Sequence, residues 1–116
     1  MDRYLIWCDL ERGISDVEWA DAVHAYLGAL RESGQIAGYR ISRRKLGLGP
    51  SDLGEFQVEV EVEDLAQLDR AFRTASTRSG PVEALHHAVN RHARNPRFAL
   101  YRDFPDAHRE RGDEAF

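Results

Sequence analysis

Apolar positions along this chain change their period several times, and each change marks an element. Arg3 to Leu10 is apolar at both parities and rich in aromatic and branched side chains, which predicts a strand. From Ser15 the period lengthens to that of a helix. Trp19, Val23, Tyr26, Leu27 and Leu30 share one stripe, and Ser15 and Glu18 stand at capping-box spacing. Ile14 and Trp19 have the spacing of a hydrophobic staple, and Gly34 supplies the stop. Gly38 to Leu46 reads as a second strand. Phe56 to Val62 reads as a third, with strict alternation of Phe56, Val58, Val60 and Val62. The Gly- and Pro-rich stretch 47–54 between them is a hairpin loop by composition.

Asp64 opens a second helix carrying Leu65, Leu68, Phe72 and Ala75 at helical spacing. Ser79-Gly80-Pro81 interrupts it, and Pro81, suited to a first helical turn, starts a third helix running to about His92. Arg97 to Phe104 is the last strand. The order is βαββαβ, which predicts an α+β fold with one four-stranded antiparallel sheet and its helices on one face. Two right-handed crossovers place strands one and three at the centre, giving the strand order 4-1-3-2. The predicted domain is 1–105. Residues 106–116 form a polar tail without apolar partners, expected to fray.

Alternation then divides the sheet into two faces. Tyr4, Ile6, Cys8 and Leu10, Tyr39 and Ile41, the alternating apolar set of strand three, and Phe98, Leu100 and Phe104 face the helices. The other face carries Arg3, Leu5, Trp7 and Asp9, Arg40, Ser42 and Arg44, Gln57, Glu59 and Glu61, and Arg97, Ala99, Tyr101 and Asp103. It mixes aromatics with both signs of charge, so it is neither a dry core nor an ordinary wet surface. Keeping the apolar face intact pairs Arg40 with Glu61 and Ser42 with Glu59, or the same pattern slipped by two residues. In both registers arginines stand opposite glutamates, a pairing that contributes roughly 0.2–1 kcal/mol each.

Composition narrows the classes. The 116 residues are 42% hydrophobic and 31% charged, enough for one core. The net charge of -4, with both signs interleaved, leaves no basic footprint for nucleic acid. The longest apolar run, Leu5 to Cys8, is too short to span a bilayer, and the first residues do not read as a signal peptide, so a cytoplasmic location is expected. One cysteine, Cys8, permits neither an intrachain disulfide nor a thiolate metal cage.

Candidate chemistry centres on His86. At about 100° per residue it falls within the apolar stripe of the last helix with Leu85, Val89 and Ala93, while His87 points away. An imidazole there acts as an acid/base or a ligand if it opens on a cavity, and as a core residue bonded to a carbonyl if it does not. His87 and His92 are not spaced for a shared metal, and no zinc motif is present. Arg43-Arg44-Lys45 before Gly47 and Gly49 lacks the Lys-Ser/Thr and following helix of a phosphate loop. It reads as a hairpin with a basic stem, where Arg44 and Lys45 would hold an anion if one bound.

Four segments, Ile6-Trp7-Cys8-Asp9-Leu10, Arg43 to Pro50, Leu53-Gly54-Glu55-Phe56 and Phe98 to Pro105, resemble an uncharacterised bacterial family. The wider resemblance is to the dimeric α+β-barrel superfamily, which includes antibiotic-biosynthesis-monooxygenase-like proteins. Its ferredoxin-like subunits pack sheet against sheet. The resemblance implies a homodimer over residues 3–105. It also implies functions ranging from cofactor-independent oxygenases and lactone isomerases to binding proteins. Trp7 and Trp19 do not reproduce the Asn–Trp–Tyr or Asn–Trp–His sets of the oxygenase branches. Three readings follow: a homodimer binding a small organic molecule, a cofactor-independent oxygenase or isomerase, and a structural or regulatory dimer without ligand. The first places ligand contacts at Trp7, Arg40, Arg44, Glu59 and Tyr101. The second uses His86 as acid/base with Arg40 orienting an anionic group. No cofactor, metal, nucleic acid or membrane is implied.

Overall fold

In the computed structural model, which describes residues 1–112, seven elements follow in the order β1 (Asp2–Leu10), α1 (Asp16–Glu32), β2 (Gly38–Arg43), β3 (Phe56–Val62), α2 (Leu65–Ser76), α3 (Gly80–Asn90) and β4 (Ala93–Arg102). The strands form one sheet ordered β2-β3-β1-β4, the expected order read from its other edge, and every pairing is antiparallel.

The termini of the elements follow local chemistry. Ser15 Oγ accepts the Glu18 N–H at 3.2 Å, capping α1, and Gly34 takes φ 76 just beyond its end, the left-handed conformation that stops a helix. Asp64 caps α2 by accepting the Gln67 N–H at 2.8 Å. The Gln67 side chain, buried at the same corner, is satisfied at both ends. Its Oε1 accepts the Glu63 N–H and its Nε2 donates to the Gly34 carbonyl, tying α2 to the end of α1.

The core lies between the sheet and the helices. Trp19, Val23, Leu27 and Leu30 from α1 meet Cys8, Val58, Val60 and Val62 from the central strands, with Ile36, Leu68 and Ala71 closing the layer. Burying each such side chain contributes about 1.5–3 kcal/mol. Trp19 packs its ring 5.2 Å from that of Phe56 and donates its Nε1–H to the Val89 carbonyl at 3.2 Å, so one side chain joins α1, β3 and α3.

Of the two hairpin registers that the sequence allows, the structure takes the slipped one, with Arg40 opposite Glu59 and Ser42 opposite Gln57. Two departures from the sequence reading have local causes. β4 begins at Ala93 rather than Arg97, because the Asn95-Pro96 breaker is absorbed as a bulge between Trp7 and Asp9 on an edge strand, where proline is tolerated. The bulge switches parity, so Ala93 and Phe98 both face the helices. Leu65 stands exposed at the first turn of α2 rather than in the core stripe. Of the polar tail, residues 106–112 include a short turn in which Asp106 pairs with Arg102 at 3.2 Å and accepts the Arg109 N–H at its backbone carbonyl. Residues 113–116 lie outside the described residues. Among the described residues no helix is long and apolar enough to cross a membrane.

Candidate functional site

Helices α1, α2 and α3 do not fill the space above the sheet. A cavity of about 300 Å³ remains, floored by Tyr4, Ile6 and Val58 and walled by Val23, Ala71 and Val89. His86 lines it, as its position in the apolar stripe of α3 allows. The lining residues that reach solvent, Phe72, Asn90, Pro96 and Phe98, mark its opening beside β4. Phe98 is 59% exposed because edge strand β4 is not covered on this side as the central strands are. Tyr4 holds both aromatics of the opening, edge-on to Phe72 at 5.2 Å and stacked on Phe98 at 6.0 Å.

The polar groups gather on one wall. The His86 ring lies 5.1 Å from the Tyr26 ring on α1, and its Nε2 is 2.7 Å from the Asn90 amide nitrogen one turn further along α3. With the amide donating, Nε2 accepts and the ring proton sits on Nδ1. Glu83 stands one turn before His86. Its Oε2 is buried without a hydrogen-bond partner among the described residues. Burial first, and the Glu83 charge second, push the Tyr26 phenol above its ordinary pKa. Tyr4 is raised by burial alone. Cys8, at the cavity floor, is pushed up to about 11 by burial and then by neighbouring Asp9, so it holds a thiol rather than a nucleophilic thiolate at neutral pH.

Sequence reasoning found His86 but not the company it keeps. Glu83, His86 and Asn90 follow the i, i+3, i+7 spacing that stacks side chains on one helix face, a signal readable from the chain. Tyr26 was legible only as an apolar stripe residue.

The remaining predicted site residues lie on the opposite face of the sheet. Across it run the rows Arg40, Glu59, Leu5, Ala99 and Ser42, Gln57, Trp7, Arg97, with Tyr101 beside Arg3 in the next row. Trp7 and Arg44 come together at a second hollow of about 210 Å³ beside the hairpin loop. Arg44 is engaged there, donating from Nη2 to the Pro50 and Leu53 carbonyls at 2.7 and 2.6 Å. It shapes the loop, and a side chain at Gly49 would meet its Nε at 2.7 Å. Arg3 bonds Asp103 and approaches Glu59 at 3.9 Å. The Arg3 hydrogen bond is the main cause that holds the Asp103 carboxyl below its ordinary pKa. The sheet therefore separates His86 from Trp7, Arg40, Arg44, Glu59 and Tyr101. Among the described residues no group of three His, Cys, Asp or Glu side chains is placed to hold a metal.

The chain belongs to the family of unknown function DUF6614, whose model matches residues 1–116. No curated protein matches it. Among solved structures it is similar to At3g17210 of Arabidopsis thaliana, with TM-score 0.67 and 7% identity over 89% of this chain and 95% of that one. A dimeric ferredoxin-like protein of unknown function from Jannaschia sp. CCS1 gives 0.65 and 14%, over 88% and 98%. The hydroxynitrile lyase of Passiflora edulis gives 0.62 and 14%, over 86% and 90%. These likenesses show the ferredoxin-like α+β fold expected from the βαββαβ order.

Proposed function

We propose that this member of DUF6614 is a homodimer whose protomers each bind a small organic molecule between sheet and helices. The observation that carries the reading is His86, which opens with Asn90 and Tyr26 on an otherwise apolar cavity of about 300 Å³. That volume is at the lower end of small-molecule sites, and a few polar groups converging in an apolar pocket are the usual arrangement for orienting a ligand.

The dimer is supported by the sheet's other face. Leu5, Trp7, Ala99 and Tyr101 lie among arginine–glutamate pairs there, and Leu46 and Leu48 stand 83% and 76% exposed on the hairpin loop, where Leu48 lines the hollow with Trp7. An apolar surface with a charged rim is the character of a protein interface. The dimeric ferredoxin-like relative from Jannaschia points the same way. In this reading Trp7, Arg40, Glu59 and Tyr101 serve association rather than ligand binding. The functional unit is residues 1–105, working in the cytoplasm.

The His86 cluster also favours a second reading, in which the dimer is a cofactor-independent isomerase or oxygenase with His86 as acid/base. Arg40 has no part in it, because the sheet stands between them.

Thermal melts of His86→Ala and His87→Ala test the binding reading before any ligand is known. A side chain that lines a cavity is replaced at little cost, so the two variants melt alike. A core histidine bonded in place would leave a void and an unpaired group, and His86→Ala would lose about 1–3 kcal/mol more than its neighbour. That result would favour a structural dimer without ligand.

A further inference from the structure

We infer that the helix-side cavity takes an uncharged molecule with a flat apolar body and a single hydroxyl or carbonyl head, and that it rejects carboxylates and ammonium ions. The inference rests on the cavity reading above and names the ligand class of that site.

The argument is one of charge and desolvation. Among the described residues lining the cavity there is no Arg, Lys, Asp or Glu. An ion entering it would lose its hydration with no Arg, Lys, Asp or Glu in the lining to pair with, so ions are penalised relative to neutral molecules of the same shape. Glu83, whose Oε2 is buried, lies outside the lining, and its charge is felt at Tyr26. A ligand anion against that wall meets a like charge, and a cation in the cavity has no carboxylate in the lining to contact.

The polar residues of the lining suit a neutral head. With Nε2 of His86 accepting from Asn90, Nδ1 carries the proton and is a donor. The Tyr26 phenol, whose pKa burial raises further, is protonated at neutral pH and both donates and accepts. A carbonyl is matched by the donors, and a hydroxyl by either partner. The body of the ligand is set by the rest of the lining, where Tyr4, Phe72 and Phe98 offer ring faces and edges at the opening.

Calorimetric titration with three probes of one shape tests this: 2-naphthalenemethanol, 2-naphthoate and 2-naphthylmethylammonium, each at neutral pH. The alcohol should bind, both ions should bind more than about tenfold more weakly, and Ala71→Leu, which fills the cavity from its wall, should abolish the heat of the alcohol. An ion that binds within tenfold of the alcohol, and loses binding in Ala71→Leu, overturns the inference while leaving the cavity as the site. If none of the three binds, or if the alcohol binds Ala71→Leu as well as the unaltered chain, the cavity reading itself falls and the inference with it.

Discussion

Tyr26 and His86, sixty residues apart in the chain, hold their rings 5.1 Å apart with a tilt of 35°. The contact joins α1 to α3 at the cavity wall, as does the hydrogen bond from Trp19 to the Val89 carbonyl. Trp19, Tyr26, His86 and Val89 all line the unfilled space, so both contacts between these helices border it. Cys8 and Val23, which line it, are 2% and 1% exposed.

If that space is real volume, added atoms should fit. Ala71→Leu puts three more carbons into it from α2. In a close-packed core such overpacking costs about 1–3 kcal/mol. Here denaturant unfolding should show a change of less than about 1 kcal/mol. A loss at the upper end of the overpacking range would mean that the helices seat more tightly than described.

The two tryptophans should behave differently. Trp7→Arg adds charge to the sheet's outer face and should shift a dimer toward monomer in sedimentation at micromolar concentration, with little change in unfolding. Trp19→Ala removes a core ring and should cost about 3–5 kcal/mol. A monomeric parent protein at that concentration would contradict the dimer.

Cys8 supplies a pH dependence. Its folded pKa is pushed from 9.0 up to about 11, so an unfolded chain gives up the thiol proton first. Stability is then whole below pH 9 and declines as pH rises from about 9 toward about 11, and Cys8→Ala should remove that part of the decline. In the native state at pH 8 a thiol reagent should label the chain only as fast as it unfolds. Immediate labelling would show a reachable thiolate.

Much of this was legible in the sequence because the signals are local. Alternation at Phe56, Val58, Val60 and Val62 needs only a period of two, and the caps at Ser15 and Asp64 need only a side chain and an N–H two or three residues on. The hairpin register was open to a two-residue slip because both alternatives keep the same faces, so the apolar pattern cannot choose between them. Asn95-Pro96 read as a boundary because a breaker and an edge bulge share one composition. The position of His86 was legible from its stripe. The cavity was not, since its volume depends on how α1 and α3 lean together, a tertiary fact that no single segment carries.

The central claim is that ligand enters between sheet and helices, and methyl-resolved NMR of the dimer during titration with 2-naphthalenemethanol tests it most directly. The account expects saturable shifts at Val23, Ala71 and Val89, which wall the cavity, with Leu5 and Ala99 on the opposite face unmoved. Shifts confined to Leu5 and Ala99, with Val23, Ala71 and Val89 silent, would contradict it and move the site to the outer face.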